Sequence, residues 1–203
     1  MRPSDRRPVR RSLVAFFTGP RTFLLRYSVF IDGGYAKKLL QEFNSPKICY
    51  LKFSNEVSRG YERLRTYYYD CPPFVPASPS ADDKNRQRGF DNFRKALENL
   101  PRFQVRLGRL ARIDTATGPK FTQKNVDILL TLDLTRLSVA GLIQRSVIVI
   151  ADSDFIPAIQ VAKDSGTIVE LYYSTELPFN RELLEACDER VVIDKEFIHK
   201  IKA

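Results

Sequence analysis

The chain has 203 residues, 43% of them apolar, which is enough for one domain with a real core. No apolar run approaches the roughly 18 residues of a membrane span. The net charge of +9 is concentrated: residues 1–26 hold seven Arg and one Asp, leaving only +3 for the rest.

Three widely spaced cysteines, Cys49, Cys71 and Cys187, form no C-x-x-C pair, which argues against a disulfide framework or zinc site and for a reducing, cytoplasmic setting. The single histidine, His199, lies in the last turn of the chain. A histidine-based triad is therefore ruled out in practice, and any chemistry falls to carboxylates.

Residues 1–26 read as a basic, unstructured extension, and residues 27–203 as one domain. Leu13–Phe17 after Arg10-Arg11 is too short for a leader and is broken by Gly19-Pro20. Tyr27–Asp32 reads as a first strand, its unbroken apolar run suiting a strand buried on both faces. Gly33-Gly34 turns the chain into a helix over Tyr35–Phe43. Ser45–Gly60 has no decisive pattern.

Arg63–Asp70 is a second, aromatic strand, and the proline-rich Cys71–Ser80 is a loop. Asp82–Leu100 is a helix, Phe103–Ile113 a third strand and Asp114–Gly118 a turn. Asn125–Ala140 is a helix with Gly141 as its stop. Ser146–Ala151 is a fourth strand, followed by a helix to Asp164 that Gly166 closes. Thr167–Tyr173, a helix over Phe179–Cys187, a short strand over Arg190–Ile193 and a helix over Lys195–Lys200 complete the chain. This alternation predicts a three-layer α/β/α fold around a mainly parallel sheet, with the strand carboxyl ends on one edge.

The acids fall on that edge. Asp32 closes the first strand and Asp152 and Asp154 follow the fourth, which the fold rule makes neighbours at the point where winding reverses. Asp127 opens the helix before the fourth strand. Each has a plain structural reading: Asp152 as a helix cap, Asp127 as a first-turn acid and Asp32 as a turn former. Together they read as one pocket of repelling carboxylates, and such a pocket favours a hard cation, Mg²⁺ or Mn²⁺. That is hydrolytic chemistry with no need of histidine or cysteine. Asp133, six residues after Asp127, faces about 120° away and reads as structural.

Phe30-Ile31-Asp32-Gly33-Gly34-Tyr35, Lys124-Asn125-Val126-Asp127 with Asp133, and Ala151-Asp152-Ser153-Asp154-Phe155-Ile156-Pro157 with Ala162 and Gly166 occur in that order. This set resembles the NYN domain of the PIN-like nuclease superfamily, and Tyr67-Tyr68-Tyr69-Asp70 is similar to the family's second strand. The resemblance covers roughly residues 27–193. It implies a PIN-like fold and Mg²⁺- or Mn²⁺-dependent RNA cleavage, with metal-binding acids at Asp32, Asp127, Asp152 and Asp154. Tyr35 departs from the family, which often has Asn there, so an amide able to orient a ligand or water is lost.

For the substrate, single-stranded RNA, the residues to hold phosphates are Arg86, Arg88, Lys95 and Arg102 around the second long helix, and Lys120 and Lys124 in the third loop. Phe121 and Tyr67–Tyr69 are candidates for base stacking, with strand core as the plainer reading of the tyrosines.

Overall fold

The structure is a computed structural model that describes residues 25–115 and 118–203, with the side chains of residues 110–124 outside the described part. The basic extension, through residue 24, lies outside the described residues.

Six strands form one parallel sheet: β1 Arg26–Asp32, β2 Glu62–Asp70, β3 Phe103–Leu107, β6 Arg145–Val149, β7 Ile168–Tyr173 and β8 Glu189–Val192. Their order across the sheet is β3-β2-β1-β6-β7-β8. The sheet grows outward in one direction from β1 and then in the other from β6, so winding reverses between these two strands. In doubly wound sheets the crevice at that reversal, beyond the strand carboxyl ends, is where ligands bind. Ile31 pairs with Val149, bringing both carboxyl ends to one place.

One helical layer holds α1 Gly33–Glu42, α2 Tyr50–Glu56, α3 Ala81–Glu98 and α7 Lys195–Ile201. The other holds α4 Val126–Val139, α5 Ile156–Asp164 and α6 Arg181–Ala186. Alternation along the strands feeds the two cores. Tyr27, Val29, Ile31, Tyr68, Val147 and Val149 face the first layer, while Phe30, Tyr67, Tyr69, Ile148 and Ile150 face the second. Both faces are covered, which is why β1 and β6 read as unbroken apolar runs. The expected three-layer architecture is the one found.

One expectation needs correcting. Phe103–Ile113 is not one strand. It divides at Gly108, whose N–H donates to the Asp70 carbonyl at 2.9 Å, where β2 itself ends. With no partner left in the sheet, the chain turns away as β4 Arg109–Thr115 and pairs antiparallel with its own return, β5 Gly118–Lys124. The sequence does mark the break: Gly108 interrupts the run, and the apolar phase, odd-numbered through Phe103, Val105 and Leu107, shifts at Leu110. The undecided Ser45–Gly60 contains α2, which packs Tyr50 and Phe53 into the first core.

At the far end of the sheet, buried Arg145 pairs with buried Glu170. Arg59 reaches the same carboxylate at 2.5 Å, and Arg145 Nη1 donates to the Val57 carbonyl at 2.6 Å. This cluster ties the turn after α2 to the amino ends of β6 and β7.

Candidate active site

Asp32 is at once the last residue of β1 and the cap of α1. Its Oδ1 accepts the Gly34 N–H at 2.8 Å. Gly33 is required between them: a Cβ there would stand 2.8 Å from the Tyr69 carbonyl oxygen and 2.7 Å from the Tyr68 ring. The capping and site readings of Asp32 are therefore compatible. Burial pushes its carboxyl pKa up, bonds from the Gly34 and Tyr35 N–H groups oppose this, and the charges of Asp127 and Asp70 raise it further.

Asp127 sits in the first turn of α4. Its start is set by Asn125, whose φ of 73° is left-handed and which makes no side-chain cap. Asn adopts this region more readily than most residues. Desolvation by its surroundings pushes the Asp127 pKa up, and the charges of Asp152 and Asp154 add to this.

Asp152 follows β6 and caps a single 3₁₀ turn, Ser153–Phe155, through an Asp154 N–H bond of 3.0 Å to its Oδ1. Asp152 and Asp154 are both solvent-exposed. Asp32 thus lies in the field of Asp127, and Asp127 in the fields of Asp152 and Asp154, so three segments distant in sequence are linked through Asp127.

An open cleft of about 660 Å³ lies across the carboxyl ends of β1 and β6, lined by Asp32, Tyr35, Lys38, Asp152, Ser153 and Asn180 among others. Asp127 and Asp154 are not among its wall residues, though the charge of Asp127 acts on Asp32. Among the described residues no three carboxylate, imidazole or thiol side chains stand close enough together to encage an ion. The donor set is all oxygen, and like charge raises the pKa of both Asp32 and Asp127. That fits a Mg²⁺- or Mn²⁺-type ion held by one or two carboxylates with water completing its shell.

The remaining acids are committed elsewhere. Asp133 is buried in α4 and accepts from Tyr69 Oη at 3.0 Å and from Arg106 Nε at 3.2 Å, with Arg136 at 3.4 Å. It is structural, as its helical phase predicts. Asp70, at the end of β2, is 2% exposed and pairs with Lys37 Nζ at 2.6 Å. Tyr35 fills the place of the family's Asn, and its hydroxyl accepts the Ser174 N–H at 3.2 Å.

The expected phosphate-binding residues divide. The amino half of α3, which follows the loop leaving β2, carries exposed Arg86 and Arg88, with Arg86 paired to Asp83. Lys120 and Lys124 lie on β5, and their side chains, like that of Phe121, fall outside the described part. Arg102 precedes β3 and so belongs to the opposite edge, where it pairs with Glu62 at 2.9 Å. Lys95 is in the last turn of α3, toward that same edge. Tyr67, Tyr68 and Tyr69 are at most 3% exposed and form core, not a stacking surface. Lys38 and Asn180 were not singled out from the sequence. Lys38 carried one signal, its place one turn after Tyr35 on α1.

No curated protein matches the chain. A crystal structure of a Vibrio parahaemolyticus protein of unknown function is similar, with a TM-score of 0.59 at 20% identity over 86% of this chain and 96% of that one. That likeness concerns the fold alone. A crystal structure of an aureusimine biosynthetic cluster reductase domain aligns with a TM-score of 0.27 at 10% identity, over 74% of this chain and 33% of that one, and carries no argument. The sequence pattern of the NYN domain matches residues 26–194, a span that runs from the start of β1 past the end of β8 and includes every acid of the crevice. With the parallel sheet, its winding reversal and the acids that meet there, this match places the chain in the NYN domain family of the PIN-like nuclease superfamily.

Proposed function

We propose that the protein is a metal-dependent ribonuclease that hydrolyses phosphodiester bonds of single-stranded RNA. The observation that carries this reading is that Asp32 and Asp152 line one cleft at the carboxyl ends of adjacent strands, with Asp127 acting on Asp32 and itself in the field of Asp152 and Asp154. Of Asp32, Asp127, Asp152 and Asp154, one or two would hold Mg²⁺ or Mn²⁺ directly, Asp32 and Asp152 being the ones on the cleft wall, and the others would add negative charge and water-mediated contacts. The chemistry such an ion supplies when bound is Lewis acidity toward the phosphoryl oxygens and a lowered pKa for the attacking water.

The chain's own contribution is placement. The Gly34 N–H orients the Asp32 carboxylate and the Asp154 N–H orients that of Asp152. Lys38 on the cleft wall offers a cation to the substrate backbone, and exposed Arg86 and Arg88 add further basic residues.

The deciding experiment compares wild type with Asp152→Asn on a single-stranded RNA, with Mn²⁺ or Mg²⁺ and with EDTA. Asn keeps a side-chain oxygen for the Asp154 N–H, so the 3₁₀ turn survives while the charge is lost. The reading requires cleavage that EDTA and the substitution each abolish. Equal cleavage by both proteins overturns it.

A second reading, an RNA-binding or scaffold protein of the same fold without catalysis, draws on Tyr35, whose hydroxyl is committed to Ser174 where the family often has a free amide. It predicts salt-dependent RNA binding without EDTA-sensitive cleavage.

A further inference from the structure

Helix α4 is apolar on two sides. Val126, Leu130, Leu134 and Leu137 are buried in the second core. The opposite side presents Ile128, Leu132 and Val139, which are 57%, 58% and 67% exposed. At about 100° per residue these three fall within about 40° of one another, a single stripe along the helix. Leu142, 40% exposed, continues the stripe beyond the helix end. The outward side of a helix packed on a sheet is ordinarily polar. Among the described residues nothing covers this one.

The chain joins the fold at the foot of that stripe. Arg26 N donates to Gln144 Oε1 at 2.9 Å, Gln144 N donates to the Arg26 carbonyl at 2.9 Å, and Gln144 Nε2 donates to the Gly141 carbonyl at 3.2 Å. Gly141 and Leu142 are the turn that ends α4. The point where the described fold begins, Leu25-Arg26, is therefore tied to the Gly141-Leu142 turn that ends α4.

Residues 1–24 contain Leu13-Val14-Ala15-Phe16-Phe17, an apolar run with Arg6, Arg7, Arg10 and Arg11 before it. The eight residues from Thr18 to Leu25 span up to about 26 Å when extended. Helix α4, with fourteen residues, is about 21 Å long. The run can therefore reach any part of the stripe, and a short tether gives it an effective concentration near the millimolar range. Charge favours the same arrangement. With Leu13–Phe17 on α4, the arginines before it fall at the helix's first turn, where Asp127 stands in the field of Asp152 and Asp154.

We propose that Leu13–Phe17 docks on the Ile128–Leu132–Val139 face of α4 and brings Arg10 and Arg11 to the acidic edge of the sheet. The occupant is this chain's own extension, and the contact does not depend on whether the cleft cuts RNA.

The test uses the full chain and mild oxidation of two cysteine pairs, Phe16→Cys with Leu132→Cys, and Phe16→Cys with Lys95→Cys on the opposite layer. Docking predicts an intrachain crosslink at least about fivefold faster in the first pair than in the second. It also predicts that Phe16→Asp with Phe17→Asp raises binding of a hydrophobic dye several-fold, and that adding Leu132→Asp removes the gain. Both substitution sets leave the described core untouched. Equal crosslinking of the two pairs, or dye binding unchanged by the tail substitutions, overturns the proposal. So does a wild-type dimer by light scattering that Leu132→Asp dissociates, because the occupant is then a second copy.

Discussion

Tyr69 on β2 donates its hydroxyl to Asp133 on α4 at 3.0 Å. The same carboxylate receives Arg106 and Arg136. One helix thus carries two aspartates with different fates: Asp133 is saturated by donors inside the protein, whereas Asp127 meets mainly other negative charges. Supply of partners, rather than residue type, separates the structural acid from the candidate ligand. Tyr69→Phe is expected to cost about 2 kcal/mol, as loss of a buried hydrogen bond to a charged group does. Urea unfolding measures this, and a change below about 0.5 kcal/mol would show that the two arginines satisfy Asp133 alone.

Gly33 is held by contact rather than by a special backbone angle. Gly33→Ala drives a methyl group into the Tyr69 carbonyl and the Tyr68 ring. The expected cost is about 1–3 kcal/mol in stability, because neither neighbour can withdraw without disturbing β2. Asp32 is the adjacent residue, so RNA cleavage should fall by more than the loss of folded protein explains. Circular dichroism melts alongside cleavage rates separate the two effects.

The Arg145–Glu170 pair lies where water does not reach. Glu170→Gln leaves Arg145 buried without its anion, and Arg59 also loses its nearest carboxylate. The expected destabilisation is about 3–5 kcal/mol. An unfolding midpoint close to that of wild type would mean that Arg145 relaxes toward Glu189 or solvent.

Cys187 gives the pH dependence. Burial pushes its thiol pKa up to about 12. The unfolded chain releases this proton from about pH 8.5, whereas the folded chain retains it. Above that pH the unfolded state binds fewer protons, so stability falls as pH rises, by up to about 1.4 kcal/mol per unit toward the folded value. Cys187→Ala should make the stability profile between pH 8 and 9.5 shallower. At pH 8 only about one Cys187 thiol in ten thousand is ionised, so alkylation of the native protein should spare it until the protein unfolds. Prompt labelling of Cys187, read by mass spectrometry, would contradict the burial.

The sequence by itself determined the alternation of strands and helices, because burial on both faces leaves apolar runs and helix faces leave a 3.6-residue period. It also determined that chemistry falls to carboxylates, since one histidine and three scattered cysteines leave little else. Spacing along α4 was enough to assign Asp133 a structural role.

Other features required the tertiary structure. The division of Phe103–Ile113 depends on where β2 ends, a fact about another strand. The burial of Tyr67–Tyr69 depends on helices covering both sides of β2. The placement of Arg102 on the edge opposite the cleft follows from strand direction, which charge composition does not encode. Asp32 and Asp152 line one cleft because β1 and β6 are neighbours, an adjacency that the alternation and the fold rule anticipated but that only the assembled sheet realises, since neither segment encodes it alone.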